Sequence, residues 1–144
     1  MSVAYDPQNI FAKILRGEIP AYKVYEDDVA LAFMDIMPRT EGHTLVIPKQ
    51  PARGLLDIDP DNLSALIQRV QHVARAAKAA FHADGLTLQQ FNESAGGQVI
   101  FHIHFHILPR FESVALLPPG IMGDPEKLKT NAEKLRAALA AFSA

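Results

Sequence analysis

The sequence predicts an α+β fold in which helices pack against an antiparallel sheet. Short apolar segments bounded by turn residues recur between residues 22 and 108, as expected for the strands of such a sheet. Apolar residues at helical spacing occur before, between and after these segments. With 144 residues, of which 49% are hydrophobic, the chain is long enough to bury a core. We therefore expect a single domain over residues 1–144.

The first half of the chain contains one short helix and three strand candidates. Residues 7–16 carry apolar side chains at helical spacing, and Gly17 is expected to end this helix. Strands are predicted over residues 22–25, 29–34 and 44–47. Because turn residues separate these strands by short connections, we expect them to pair as part of an antiparallel meander.

The second half contains two amphipathic helices and two further strand candidates. Asp59 followed by Pro60 is typical of a helix N-terminus, and Gly85 is expected to end this helix. The apolar stripe of the helix comprises Leu63, Leu66, Ile67, Val70, Ala74, Ala77 and Phe81. Strands are predicted over residues 86–92 and 101–108, followed by a connector over residues 115–124 and a final helix over residues 125–142.

Charge and composition argue against several classes of function. The formal net charge is −2 without a basic block, so a nucleic-acid partner has no electrostatic support. No apolar segment is long enough to cross a bilayer, and residues 1–6 lack the basic and apolar regions of a signal peptide. The absence of cysteine removes disulfides and thiolate zinc sites. These observations favour a cytoplasmic protein with no membrane association.

Three histidines at alternate positions are the most informative feature of the chain. His102, His104 and His106 lie in the apolar segment 101–108. In a strand, all three imidazoles would lie on one face, with neighbours roughly 6 to 7 Å apart. Phe101 and the other apolar residues that alternate with the histidines would then face the core. Histidine is both neutral and charged near pH 7, so such a row suits nucleophilic, acid–base or metal chemistry.

The residues before this row favour chemistry on phosphorus. The Gly96-Gly97 loop lets the backbone approach a ligand and offers amides to an anionic oxygen, while Asn92 and Gln98 add neutral donors. One imidazole nitrogen could attack phosphorus if the other donates to an acceptor, such as a carbonyl across the strand. A metal enzyme using His102, His104 and a third ligand is an alternative, although amide neighbours support metal ligands poorly.

The other three histidines have less distinctive surroundings. His43 stands just before the strand predicted at residues 44–47, and its imidazole could reach the same pocket or bond a carbonyl in its own loop. His72 and His82 lie in the long helix, where we expect surface or structural roles.

The segment from His102 to Leu108 resembles the His-φ-His-φ-His-φ-φ signature of the histidine triad family, in which φ is apolar. Segments 11–20, 25–36 and 42–49 match other family segments in the same order, and the whole is similar to the bacterial, Hint-like branch. The resemblance implies a five-stranded antiparallel sheet with flanking helices. It also implies a family core over residues 9–112 and an added C-terminal arm and helix over residues 113–144. A homodimer in which two such sheets join is implied as well.

The resemblance implies a hydrolase or transferase that releases a nucleoside monophosphate, AMP foremost, from α-phosphate amides, anhydrides or esters. His104 would form the covalent nucleotidyl intermediate, and His106 would contact the phosphate and the leaving group. His102 and His43 would orient the row. Two alternatives are a dinucleoside polyphosphate hydrolase of the same family and a nucleotide-binding module with weak catalysis.

The same resemblance implies which residues hold a purine nucleotide or nucleotide conjugate. Asp35 would accept hydrogen bonds from ribose hydroxyls. Asn92, Gly97 and Gln98 would lie at the phosphate. Apolar walls around the base would be formed by Phe11, Ile14, Ile19 and Ile36, which would otherwise be interpreted as core residues.

Three positions depart from family patterns. Some bacterial members hold a structural zinc on a Cys-x-x-Cys, and Asn9 and Ala12 occupy the corresponding positions here, so we expect neither a metal nor another cofactor. Val99 stands where relatives often carry a hydroxyl that reaches phosphate, so one hydrogen bond to the substrate would be missing.

Overall fold

The computed structural model describes residues 4–142, so the outermost ends of the predicted 1–144 domain, including part of the segment inspected for a signal peptide, lie outside it. The helices are α1 (Ile10–Leu15), α2 (Pro60–Ala80) and α3 (Pro125–Phe142). The strands are β1 (Lys23–Glu26), β2 (Ala30–Met34), β3 (Thr44–Pro48), β4 (Gly85–Gln89) and β5 (Phe105–Arg110). Within residues 4–142, no helix is both long and apolar enough to span a membrane.

The five strands form one antiparallel sheet in the order β1-β2-β3-β5-β4, which confirms the predicted α+β class. The predicted meander order is wrong after β3, because β5, and not β4, pairs with β3. Both β3 and β4 pair antiparallel with β5, so they run in the same direction. A long crossover is needed between two strands that run in the same direction, and α2 provides it.

The sheet has a different helix environment on each face. Residues opposite one another in antiparallel strands share a face, so Phe33, Leu45 and His106 form one row across β2, β3 and β5. Phe33 and Leu45 pack with residues of α1. The opposite face, which includes Val46 and neighbouring core residues, packs against α2 and α3. The register therefore directs His106 to the face that α1 covers.

The long helix begins as predicted but ends earlier. The Asp59 side chain accepts hydrogen bonds from two backbone N–H groups of the first turn. The helix ends at Ala80, because His82 adopts a left-handed φ of 53°, and Gly85 begins β4 instead. Packing against both the sheet and α3 also changes the buried face: Val73 is buried, whereas Ile67 is 40% exposed.

The predicted histidine strand begins late. Only residues from Phe105 onward lie in β5, so His102 and His104 precede the strand. Continuing the β3–β5 register would place Pro48 opposite Ile103, and proline has no N–H to donate to the ladder. Instead, the Pro48 carbonyl accepts from His102 Nε2 at 2.8 Å, and the Ile103 N–H donates to the Ala52 carbonyl at 2.9 Å.

Two smaller predictions also needed correction. The first helix begins at Ile10 and not at residue 7, because the Asn9 side chain caps it by accepting from the Ala12 N–H at 2.9 Å. Phe101 does not reach the core; it is half-buried beneath the guanidinium of Arg53, which lies 4.1 Å from the ring centroid.

Candidate active site

The four predicted catalytic histidines come together on the α1 side of the sheet. The rings of His104 and His106 have centroids 4.9 Å apart, and the rings of His43 and His106 are 5.3 Å apart. His102, which lies before the strand, contacts His104 through its carbonyl oxygen. His43, His102 and His104 are buried, and His106 is half-buried. The structure therefore places all four in one cluster, although only His106 lies in a strand.

His104 has a nitrogen available to attack a substrate. Its Nδ1 lies 2.7 Å from the carbonyl oxygen of His102, and since a carbonyl only accepts, Nδ1 carries the proton. In the neutral ring, Nε2 then retains its lone pair. The predicted acceptor across the strand is replaced by a carbonyl two residues earlier in the same segment. The Phe11 ring packs edge-on against this imidazole, with centroids 4.9 Å apart.

His106 carries its proton on the opposite nitrogen. The backbone N–H of Arg39 donates to His43 Nδ1 at 3.1 Å, so the His43 proton lies on Nε2. His43 Nε2 in turn donates to His106 Nδ1 at 3.0 Å. The neutral His106 ring must then carry its own proton on Nε2. A free lone pair on His104 thus stands beside an N–H on His106, a combination suited to a phosphorus atom and its oxygens.

Burial keeps these imidazoles neutral at pH 7. It lowers the pKa of His102 to about 4, partly opposed by the hydrogen bond to the Pro48 carbonyl. Burial lowers the pKa of His43 to about 4, helped by the positive charge of Arg39 and, once it is protonated, by that of His104. The pKa of His106 falls to about 3 through burial and the adjacent histidines, and burial also lowers the pKa of His104.

Asp35, the predicted ribose ligand, lies beside the His43–His106 pair. Its Oδ1 accepts from the Met37 N–H at 2.8 Å, and its Oδ2 lies 3.4 Å from His43 Nε2. Burial raises the pKa of this carboxyl above its usual value. Asp35 is therefore held by its own loop with one oxygen directed at the histidine cluster.

The proton positions argue against metal ligation by these groups. Ligand atoms of Asp35, His43 and His106 all lie within 4.8 Å of one another, a spacing that could suit a cation. His43 Nδ1 already accepts from the Arg39 N–H, so Nε2 is protonated and has no lone pair for a metal. The predicted alternative pair, His102 and His104, is unfavourable too, because both nitrogens of His102 are hydrogen-bonded.

The amide side chains predicted to contact phosphate are bonded within the protein. Gln98 donates through Nε2 to the carbonyls of Arg53 at 2.7 Å and Ile100 at 3.0 Å, and its Oε1 accepts from the Glu93 N–H. Asn92 Oδ1 accepts from the backbone N–H of residue 55 at 2.7 Å. Both side chains therefore shape the loop that approaches the histidines.

The glycine amides of this loop are also used internally. The N–H of Gly96 donates to the Glu93 carbonyl, and the N–H of Gly97 donates to the Ser94 carbonyl, both at 3.0 Å. Gly97 adopts a left-handed φ of 97°, and a Cβ there would lie 3.3 Å from the Phe91 ring. The Gly96 and Gly97 N–H groups are therefore not free to bind an anion in this loop, contrary to the prediction. Position 97 requires glycine because of its left-handed φ and the nearby Phe91 ring.

Three of the four predicted base-contacting residues lie in one apolar region. Phe11 and Ile14 are buried in a cluster with side chains of β2 and β3, and Ile19 packs at its edge. Ile36 lies outside this cluster and is 43% exposed, directly after Asp35.

Three functional contacts could not be found from the sequence pattern. The Tyr5 hydroxyl lies 2.6 Å from His102 Nδ1, and the ring centroids of Phe91 and His106 are 5.5 Å apart. Arg39 contributes its backbone N–H, which donates to His43 Nδ1. Tyr5 stands alone near the N-terminus without any local signal. A backbone donor carries no residue-type signal either.

Comparisons of sequence and of structure both match this chain to proteins of one family. The HIT domain family model matches residues 16–113. A HIT-like protein involved in cell-cycle regulation from Bartonella henselae, solved with an unknown ligand, is 54% identical and has a TM-score of 0.90, covering 94% of this chain and 99% of that one. The adenylylsulfatase HINT3 of Arabidopsis thaliana is 42% identical over 103 residues, which are 72% of this chain and 52% of that protein. A histidine triad nucleotide-binding protein from Candida albicans is 33% identical with a TM-score of 0.69, covering 93% of this chain and 99% of that one.

Proposed function

Because this chain belongs to the HIT domain family, we propose that it binds a purine nucleotide conjugate and releases a nucleoside monophosphate through attack of His104 on phosphorus. One similar protein is named for adenylylsulfatase activity and another for nucleotide binding. The substrates would be α-phosphate amides, anhydrides or esters, with AMP as the released nucleotide. The proposed reaction requires no cofactor. We also propose that the protein is cytoplasmic, as the sequence predicts.

One observation carries the proposal. His104 has its proton on Nδ1, bonded to the His102 carbonyl, and its free Nε2 stands beside the N–H of His106. The same carbonyl would also stabilise the positive charge that the His104 ring acquires once Nε2 is bonded to phosphorus.

The reaction would proceed in two displacements. His104 Nε2 forms a bond to phosphorus while the bond from phosphorus to the leaving group breaks; the leaving group departs with that electron pair and takes a proton from solvent. His106 Nε2–H donates to a phosphate oxygen or to the leaving group. Water then attacks phosphorus and loses a proton to solvent, and the electron pair of the breaking P–N bond returns to His104.

The remaining predicted residues would orient the nucleotide. Asp35 would accept hydrogen bonds from the ribose hydroxyls. Phe11, Ile14 and Ile19 would contact the base from the buried side and Ile36 from the exposed side. The loop of Asn92, Gly97 and Gln98 would lie against the phosphate, shaped by the internal hydrogen bonds of its two amide side chains.

His104→Ala tests the proposal directly. With adenosine 5′-phosphoramidate as substrate, we expect turnover to fall by at least about a thousandfold, while AMP affinity measured by calorimetry changes by less than about threefold. Mass spectrometry of an acid-quenched wild-type reaction should detect an adenylyl group on His104. His82→Asn is the matched control, because this exposed histidine adopts a left-handed φ that asparagine accommodates. Full activity in His104→Ala would contradict the proposal.

A substrate panel distinguishes the alternatives. Adenosine phosphoramidate, adenylyl sulfate and a dinucleoside polyphosphate all place an α-phosphate before His104 but differ in leaving group. Preference for the dinucleotide would favour the polyphosphate hydrolase. AMP binding without turnover of any of the three would favour a binding module, in agreement with the missing hydroxyl at Val99, whose side chain is 83% exposed.

We also propose that the chain forms a homodimer through the free edge of β4. Leu86 and Leu88 are 36% and 51% exposed on this strand. Among residues 4–142, β4 pairs only with β5, so its other edge offers backbone groups to a second copy. Light scattering should show a dimer for the wild type and a monomer for Leu88→Lys. Phe142→Lys is the control, because Phe142 is similarly exposed on α3, which packs near β1 at the other edge. A monomeric wild type would contradict this proposal.

A further inference from the structure

Tyr5 is hydrogen-bonded to a member of the histidine cluster, although the two residues are far apart in the sequence. Its hydroxyl oxygen is 2.6 Å from His102 Nδ1, and the two rings meet edge-on with centroids 5.6 Å apart. His102 is completely buried. A hydrogen bond of this length to a buried nitrogen is a specific contact, whereas a surface tyrosine would not need one.

The direction of this hydrogen bond follows from the second nitrogen of His102. Nε2 lies 2.8 Å from the Pro48 carbonyl, which only accepts, so Nε2 carries the proton. Nδ1 of the neutral ring is then an acceptor, and the Tyr5 hydroxyl must donate to it. Both nitrogens of His102 are thereby satisfied, with one donor and one acceptor contributed by distant parts of the chain.

The position of His102 determines the position of the proposed nucleophile. The His102 carbonyl accepts the Nδ1–H of His104 at 2.7 Å and so holds the His104 proton away from Nε2. The segment that carries Tyr5 also reaches His104 by a second route, since it leads into α1, where Phe11 packs edge-on against the His104 ring.

We propose that Tyr5 is a positioning residue for the reaction: its hydroxyl acts with the Pro48 carbonyl to hold the His102 ring in place with the proton on Nε2, and through the His102 carbonyl it keeps His104 Nε2 free and directed at phosphorus. The hydroxyl does not touch the reacting atoms. The effect on rate rests on the proposed function, whereas the effect on proton positions does not.

Tyr5→Phe in the full chain is the test, because it removes the hydroxyl and keeps the ring. We expect kcat for adenosine 5′-phosphoramidate to fall by at least about tenfold while KM changes by less than about twofold. Tyr22→Phe is the matched control. Tyr22 is half-buried against the core on the α2 and α3 face, and its hydroxyl bonds to none of the residues that the structure describes. This variant should retain wild-type kcat and KM.

Imidazole nitrogen NMR separates positioning from simple anchoring of the N-terminus. In the wild type, we expect His102 to carry its proton on Nε2 and His104 on Nδ1. In Tyr5→Phe, we expect one or both rings to lose this single protonation pattern. Wild-type patterns retained in Tyr5→Phe would overturn the proposal whatever the rate, and so would a changed pattern with unchanged kcat.

The wild-type spectra alone test the first step, because a protonated Nδ1 on His102 would rule out donation by the Tyr5 hydroxyl to that nitrogen. If the wild type turns over no substrate, the proposed function fails, and the NMR comparison still decides whether Tyr5 holds His102.

Discussion

At the scale of single residues, the reactivity of the histidine cluster depends on which nitrogen of each ring carries the proton. Backbone groups decide this, because a carbonyl only accepts and an N–H only donates. The His102 carbonyl directs the His104 proton to Nδ1, and the Arg39 N–H directs the His43 proton to Nε2. Two chemically identical side chains, His104 and His106, therefore present a lone pair and an N–H.

Two substitutions at His43 should separate its hydrogen bond from its bulk. In His43→Gln, the side-chain amide can still donate near the position of Nε2, whereas in His43→Asn it is too short to reach His106 Nδ1. We expect His43→Asn to have a kcat at least about tenfold below that of His43→Gln. Steady-state kinetics with adenosine 5′-phosphoramidate measure this, with His82→Asn as the control. Equal rates for the two His43 variants would show that donation to His106 has no catalytic effect.

At the scale of elements, the C-terminal arm (residues 113–124) is bonded to the loop that follows β2. The Leu117 N–H donates to the Arg39 carbonyl at 2.7 Å, and the Gly123 N–H donates to the Ile36 carbonyl at 2.8 Å. Ile36 is a proposed base contact, and the N–H of Arg39 orients His43. A cavity of about 200 Å³ lies between the arm, this loop and α3. The arm is thus hydrogen-bonded to the loop that carries part of the proposed nucleotide site.

Gly123→Ala should disturb this contact between the arm and the loop. A Cβ at position 123 would lie 2.9 Å from Pro38 Cδ and 3.4 Å from the Ile36 carbonyl, so the loop must shift. We expect KM for the phosphoramidate to rise by about three- to tenfold, with a smaller change in kcat. Gly85→Ala is the control, since a Cβ there meets no atom within 4 Å. An unchanged KM in Gly123→Ala would show that the position of the loop does not affect nucleotide binding.

At the scale of the whole molecule, the buried neutral imidazoles couple stability to pH. The pKa of His102 is about 4 in the folded chain, against about 6.5 in the unfolded chain, and the pKa of His43 is also about 4. Between these pH values the unfolded chain binds more protons, so the free energy of unfolding falls as the pH falls. Asp35 acts in the opposite direction, because its raised pKa lets the folded chain take up that proton first.

Urea denaturation between pH 7.5 and pH 4 should therefore show decreasing stability below about pH 6.5. A shift of the size given for His102 corresponds to about 3 kcal/mol for this residue alone once the pH reaches its folded-state pKa. His102→Asn should reduce the slope of stability against pH. Constant stability across this range would contradict the burial of neutral imidazoles.

Several features were determined by local sequence. The cap at Asp59 and Pro60 predicts the start of α2, and the span 125–142 agrees with α3. The α+β class follows from short apolar segments between amphipathic helices, and the alternating histidines mark the position of the histidine cluster. These features are predictable because caps, turn residues and periodicity act between residues that are close in the chain.

The order of the strands, the late start of β5 and the protonation of each imidazole were decided only by tertiary structure. β5 lies between β3 and β4 because α2 crosses over, and it begins at Phe105 because Pro48 cannot continue the ladder. Tyr5 and Pro48, the two hydrogen-bond partners of the His102 ring, are distant from it in sequence, and so is His43 from His106, whose proton it directs. Hydrogen bonds between such distant groups depend on how the folded backbone brings them together, and no local pattern of residues encodes that arrangement.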